Sequence, residues 1–123
     1  MTNSEILRQM KKIYYSKDKE YIDFMGFRIT NKNFPTYHHI VKKRTQKDNN
    51  EEYIPTISNG AYLGKQSHDL LHRIEHKDKE LYEAWTEVFF IIVNMGIYPI
   101  DDVWKMVFEL QEKTLKLDKN KNK

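Results

Sequence analysis

Two regions with the hydrophobic spacing of an α-helix enclose a short stretch rich in β-branched and aromatic residues, and this order limits the folds open to the chain. Near the N-terminus, the spacing of Thr2 and Glu5 is typical of a capping box, in which two side chains satisfy the first free helix amides. The apolar residues that follow at helical period are Ile6, Leu7, Met10, Ile13 and Tyr14. They predict a helix from about residue 4 to residue 17, with a continuation to Phe24 left open.

The central stretch predicts a small β-hairpin. Residues 36–41 are rich in β-branched and aromatic side chains and follow Pro35, so they predict the first strand. Asn59 and Gly60 form a typical turn pair, and residues 61–63 predict a second short strand. The polar residues 31–33 predict a turn before the hairpin, and residues 42–52 predict a loop within it.

Helical spacing resumes after the hairpin and continues almost to the end of the chain. It predicts one helix from about residue 66 to residue 75, a second that Gly96 and Pro99 end, and a last helix that Asp101 caps. The large aromatic residues of these helices predict core or interface positions: Trp85, Phe89, Trp104 and Phe108. We therefore expect an α+β protein with one domain over residues 1–117, flanking helices at about 4–24 and 79–117, and a disordered Lys/Asn-rich tail over 118–123.

The composition excludes several classes of protein. The chain has 123 residues and no cysteine, which excludes a disulfide framework, a cysteine-ligated zinc or iron–sulfur site, and thiol catalysis. No apolar run reaches the roughly 18–20 residues that a membrane span needs. The polar N-terminus lacks the pattern of a secretory signal. We expect a cytoplasmic protein with no membrane partner.

The net charge of +3 conceals an uneven distribution. Residues 28–47 carry six basic residues and no acid, whereas residues 48–115 carry a net charge of −7. The basic residues that we expect to face a phosphate backbone are Arg28, Lys42, Lys43, Arg44 and Lys47. The alternative interpretation of the same segment is an ordinary solvated loop.

All five histidines lie between residues 38 and 76. His38 and His39 are adjacent, so on a strand their side chains point to opposite faces. His68 and His72 are four residues apart, which on a helix places both imidazoles on one face, where they can share a metal ion. One member of the strand pair then completes the site, and the other lies nearby as a potential base.

Together with Asn59, these histidines resemble the motif of the HNH endonucleases of the His-Me finger (ββα-metal) class. The matching segments are 37–41, 59–63 and 68–72, within residues 34–76. The resemblance implies a ββα-metal core in which His38, His68 and His72 bind one divalent ion, with Mg²⁺, Mn²⁺, Zn²⁺ and Ni²⁺ as candidates. It also implies that His39 is the general base, and that Asn59 ties the loop to the strand and orients that base.

The chain departs from the family pattern in two places. Many HNH proteins carry two cysteine pairs that bind a structural zinc ion, but Gly64 and Ser67 stand where one pair would fall. We therefore expect packing, for example from the flanking helices, to hold the central helix. A glycine pair that is common after the first strand is also absent, and the loop over residues 46–49 is longer.

The resemblance implies a metal-dependent endonuclease that nicks DNA, with RNA left open as a substrate and with either a monomer or a homodimer as the active form. One alternative is a DNA-binding or inhibitory protein of a mobile element that keeps the fold and has lost turnover. A second alternative is a structural metal site in a protein–protein adaptor.

Overall fold

Four helices and one two-stranded antiparallel sheet make up the part of the chain that the computed structural model describes, residues 2–15, 22–41, 56–98 and 101–119. The elements follow one another in the order helix, hairpin, then three helices. They are α1 (Asn3–Tyr14), β1 (Pro35–His39), β2 (Gly60–Gly64), α2 (Lys65–Lys77), α3 (Lys79–Met95) and α4 (Asp101–Lys119). The predicted α+β class is therefore confirmed.

The two strands pair antiparallel from Pro35 opposite Gly64 to His39 opposite Gly60. A side chain at Gly60 would collide with the ring of Tyr37, so the close approach of the strands requires a glycine there. Strand β1 ends at His39 rather than at the predicted residue 41. Beyond it, the Ile40 amide donates to the Asn59 backbone carbonyl, which draws the chain into the turn that precedes β2.

The core lies around β2, which is buried along its whole length, and against the inner face of α3. Trp85 and Phe89 of α3 are fully buried, as the sequence predicted, and Trp85 Nε1 donates to Thr114 Oγ1 of α4 at 2.9 Å. Trp104 is only partly buried and Phe108 is 45% exposed; their rings contact each other edge to face. The hairpin is thus fixed by a continuous apolar layer, and α2 begins immediately after β2.

The continuation of the first helix to Phe24 is wrong. Helix α1 ends at Tyr14, and the Tyr15 amide donates to the Lys11 carbonyl to close the last turn. Residues 22–28 instead form a tight loop, because Asp23 accepts hydrogen bonds from two nearby amides and Ile22 forms an isolated bridge with Arg28.

The tail boundary at residue 118 is also wrong. Helix α4 continues through Lys119, and the guanidinium of Arg73 on α2 donates to both carboxylate oxygens of Asp118, at 3.0 and 3.3 Å. This ion pair gives the last turn of α4 a partner that the Lys/Asn-rich composition does not reveal. Residues 120–123 of the predicted tail lie outside the described residues.

Candidate metal centre

Three of the five histidines meet where β1 passes over α2. One ring nitrogen from each of His38, His68 and His72 lies within 4.8 Å of the other two. His38 Nδ1 is 3.2 Å from His68 Nε2, and the His68 and His72 rings stack with centroids 4.7 Å apart, as expected for residues one helical turn apart. The structure thus brings together the three residues that the sequence predicted as ligands.

The three imidazoles fit a metal ion. Nitrogen ligands at about 2.0–2.1 Å from a tetrahedral ion lie roughly 3.3 Å from each other. The separation of His38 Nδ1 and His68 Nε2 already matches this value. The third nitrogen belongs to His72, whose side chain is 53% exposed, and it lies within 4.8 Å of the other two.

The cluster has a closed side and an open side. His38 is 3% exposed, and its ring contacts Phe89 and Tyr82 of α3 with centroids 5.8 and 6.5 Å away. His72 lies at the solvent edge. Burial, and then the neighbouring His72, lowers the pKa of His68 to about 4, so its imidazole is neutral and able to bind a metal at neutral pH.

His39 does not join this cluster. It occupies the opposite face of β1 from His38, where its ring contacts Tyr37 edge to face at a centroid distance of 4.5 Å. It is partly exposed and is the last residue of the strand. Strand alternation predicted that the two side chains lie on opposite faces, and the structure confirms it.

Asn59 ties the turn before β2 to the end of β1. Its Oδ1 accepts from the Val41 amide at 2.7 Å, and its Nδ2 donates to the Val41 carbonyl at 3.2 Å. The Asn59 backbone carbonyl also accepts from the Ile40 amide. These three bonds fix the two residues that follow His39, while an orienting effect on the His39 ring stays a prediction.

Among the predicted phosphate-facing residues, Arg28 is the one that the structure places. It is exposed and borders a cavity of about 340 Å³ beside Arg73 and the N-terminal turn of α2. Gln66 and Leu70 also line this cavity, on the face of α2 turned away from the histidines. The remaining four, Lys42, Lys43, Arg44 and Lys47, lie outside the described residues.

Two polar residues that the sequence analysis missed hold the N-terminal end of α2. Asp23 is fully buried; its Oδ1 accepts from the amides of Met25 and Phe27, and its Oδ2 accepts from the Gly64 amide at 2.9 Å. Burial raises the pKa of Asp23 to about 6, although its hydrogen bonds act in the opposite direction.

Asn33 supplies the cap that Gly64 lacks. Its Oδ1 accepts from the amides of Gln66 and Ser67 at 2.8 and 3.2 Å, and its Nδ2 donates to the Arg28 carbonyl. An asparagine oxygen commonly caps the helix in its own segment; here the cap comes from a residue before the hairpin. We refer to Asp23, Asn33, Gly64, Gln66 and Ser67 as the polar clasp.

The predicted packing of the central helix against the flanking helices is present, and the polar clasp adds hydrogen bonds that the sequence analysis missed. Gly64 and Ser67, where a cysteine pair would fall, are both bonded to side chains from the segment before β1. The available signal was a single acid inside the apolar run Ile22–Met25, because a carboxylate in such a run needs buried donors.

No protein-family model, curated protein or solved structure matches the chain. Among the described residues, none of the helices has both the length and the apolar content of a membrane span.

Proposed function

We propose that the protein is a metal-dependent endonuclease that hydrolyses DNA phosphodiester bonds one strand at a time. The observation that carries this proposal is the convergence of His38, His68 and His72 within 4.8 Å on a ββα unit. The order of histidines and asparagine that resembles the HNH motif supports the same function.

The three histidines and their surroundings would have separate roles at this site. A divalent ion held by three imidazoles would stabilise negative charge on a phosphodiester during hydrolysis. Imidazole donors favour Zn²⁺ or Ni²⁺ over Mg²⁺, and Mn²⁺ lies between them. His38, against Phe89, closes the inner side to water, while the exposed edge at His72 admits a phosphate from solvent.

His39 is the residue that we assign as general base. A neutral imidazole accepts a proton well near neutral pH, which suits it to act as a general base. His39 follows His38 as the last residue of β1, and the edge-to-face contact with Tyr37 restricts the His39 ring. Asn59 holds the backbone beyond it, which limits how far the strand end can move.

The phosphate backbone is the partner that the charge distribution favours. Arg28 is exposed, and the basic residues from Lys42 onward begin three positions after the last residue of β1. Contacts of this kind give sequence-independent affinity that falls with salt. The cavity beside Arg28 lies on the other side of α2, so we assign Arg28 to flanking phosphates rather than to the scissile one.

The test is nicking of supercoiled plasmid, first in EDTA and then with each of Mg²⁺, Mn²⁺, Zn²⁺ and Ni²⁺. We expect nicking with at least one ion and none in EDTA. We expect His39→Gln to lower the nicking rate by roughly 100-fold or more, the scale of a lost general base, with metal affinity retained. His76→Gln, an exposed histidine of α2 outside the cluster, is the matched control and should nick at the wild-type rate.

Two outcomes would contradict the proposal. Full-rate nicking by His39→Gln would remove the assigned base. A gel shift of DNA without nicking under all four ions would favour the DNA-binding alternative instead.

A further inference from the structure

The hydroxyl of Thr36 on β1 bridges the sheet and the histidine cluster. Thr36 Oγ1 lies 2.7 Å from the Leu63 carbonyl oxygen of β2 and 3.0 Å from His68 Nδ1. A carbonyl oxygen only accepts hydrogen bonds, and a hydroxyl has a single hydrogen to donate. The Thr36 hydrogen therefore goes to Leu63, and the bond to His68 must use a hydrogen from the imidazole.

This arrangement determines the tautomer of His68. A neutral imidazole carries one N–H, so a hydrogen on Nδ1 leaves the lone pair on Nε2. That nitrogen is the one that faces the cluster, 3.2 Å from His38 Nδ1. Without a metal ion, His38 Nδ1 must then be the donor in the His38–His68 hydrogen bond.

We propose that Thr36 is a positioning residue for the metal centre: it holds His68 with Nδ1 protonated and thereby directs the Nε2 lone pair at the ion. This inference rests on the metal-binding part of the proposed function and not on nuclease turnover. Groups that bond to the far nitrogen of a ligating histidine fix its orientation, and their loss commonly weakens metal affinity 10–100-fold.

The register of the hairpin explains why this residue has the role. Thr36 lies two residues before His38, so both side chains point to the face of β1 that meets α2. Its cross-strand partner is Leu63, whose carbonyl takes the hydroxyl hydrogen. One ligand comes directly from β1, and a second is bonded to the same strand through Thr36.

The proposal also states how the two histidines differ when a metal binds. His68 keeps its hydrogen on Nδ1 and offers Nε2 without rearrangement. His38 donates from Nδ1 in the metal-free protein, so its hydrogen must move to Nε2, as in the other neutral tautomer, before Nδ1 can bind the ion. Metal binding should therefore change the protonation pattern of His38 and leave that of His68 unchanged.

The first measurement is long-range ¹H–¹⁵N NMR of the metal-free protein, labelled at histidine, which distinguishes the two tautomers directly. We expect the Nδ1–H form for His68 in the wild type and in Thr36→Ser, which keeps the hydroxyl. We expect the Nε2–H form to gain population in Thr36→Val, which keeps the shape and removes the hydroxyl. A wild-type His68 protonated on Nε2 would overturn the proposal.

The second measurement is Co²⁺ affinity, followed by the visible absorption of the bound ion. We expect Thr36→Val to bind 10–100-fold more weakly than the wild type and Thr36→Ser to bind almost normally. Thr86→Val is the matched control, because the Thr86 hydroxyl donates to the Tyr82 carbonyl within α3 and does not contact a histidine of the cluster. Equal Co²⁺ affinity for Thr36→Val and Thr86→Val would overturn the assigned role.

The two proposals can fail separately. The tautomer is determined without metal or DNA, so a protein that nicks no DNA can still show the predicted state of His68. Conversely, metal-dependent nicking with His68 protonated on Nε2 would keep the proposed function and reject the role of Thr36.

Discussion

Helix α2 carries two polar clusters of opposite design, the polar clasp at its N-terminal end and the histidine cluster along the face toward β1. In the clasp, buried acceptors of Asp23 and Asn33 meet backbone donors of the protein. In the histidine cluster, ring nitrogens meet other ring nitrogens, and one side is open to solvent. The comparison indicates that the clasp stabilises the fold, whereas the histidine cluster could hold a metal ion.

The position of the clasp explains how a cysteine-free chain can keep two of the three clustered histidines in place. His68 and His72 lie within the first two turns of α2, immediately after the clasp. A structural zinc ion would fix this end of the helix through four thiolates. Here, the oxygens of Asp23 and Asn33 accept hydrogen bonds from backbone amides at the same end. Loss of the clasp should therefore affect the whole molecule, whereas loss of a clustered histidine should affect only the site.

The largest effect should follow Asp23→Ala. The substitution removes the carboxylate that accepts hydrogen bonds from three amides in or near the core, those of Met25, Phe27 and Gly64. Each unsatisfied buried donor costs about 1–3 kcal/mol, so we expect the free energy of unfolding to fall by roughly 3–5 kcal/mol. Urea unfolding in EDTA measures this change.

Asp69→Ala is the matched control for that experiment. Asp69 is an exposed carboxylate on the same helix, paired with Lys65 four residues earlier. Surface pairs of this type contribute about 0.3–0.5 kcal/mol. A loss below about 1 kcal/mol for Asp23→Ala, close to the Asp69 value, would show that the clasp does not hold the fold.

The reverse result is expected for His72→Ala. The His72 side chain is about half exposed, so its loss should change the free energy of unfolding in EDTA by less than about 1 kcal/mol. Metal affinity should fall by about 100-fold, equivalent to about 2.7 kcal/mol. Calorimetric titration with Zn²⁺ and with Ni²⁺ measures the affinity, and His76→Ala should bind like the wild type.

If His72→Ala bound both ions as tightly as His76→Ala, the cluster would not be the metal site. Other residues of the chain would then have to bind the metal ion, and the histidine cluster would no longer differ from the clasp by having a metal-binding role.

An intermediate effect should follow Asn59→Ala. The substitution removes two hydrogen bonds to the Val41 backbone, each worth about 0.5–1.5 kcal/mol. We expect a loss of about 1–2 kcal/mol in the free energy of unfolding and slower nicking, with metal affinity unchanged. Ser58→Ala, one residue away in the same turn, should preserve both properties. If Asn59→Ala were destabilised but nicked DNA at the wild-type rate, the hydrogen bonds between Asn59 and Val41 would not contribute to the action of His39 as a base.

The sequence predicted the histidine cluster better than it predicted the clasp, because periodicity and a motif resemblance both point to the histidines. Strand alternation separates His38 from His39, and helical spacing aligns His68 with His72. The choice of His38 as the third member came from the resemblance to the HNH motif. The clasp joins Asp23 and Asn33 to residues more than thirty positions later. Helical and strand periodicity relate only nearby residues, so neither pattern predicts such a contact. The wrong extension of α1 has the same origin, because Asp23, within the tight loop at residues 22–28, accepts a long-range hydrogen bond from the Gly64 amide.

The two clusters should also respond to pH in opposite directions. The pKa of Asp23 rises from 3.8 to about 6 on folding, so its contribution to stability is present below about pH 4 and is lost as the pH rises through 6. The pKa of His68 falls from 6.5 to about 4, so its contribution is present above about pH 6.5 and is lost as the pH falls through 4. Between about pH 4 and 6 the two contributions oppose each other.

The smallest predicted effect is therefore the pH dependence of wild-type stability from these two groups, and variants should reveal the opposition. Asp23→Asn removes the contribution that falls with pH, so its free energy of unfolding in EDTA should rise more steeply from pH 4 to 6 than that of the wild type. His68→Gln removes the rising contribution, so its stability should rise less, or fall, over the same interval. Urea unfolding at several pH values compares the three slopes. Identical slopes would mean that neither group changes its protonation on folding. If only one variant differs in slope from the wild type, only the group replaced in that variant changes its protonation on folding.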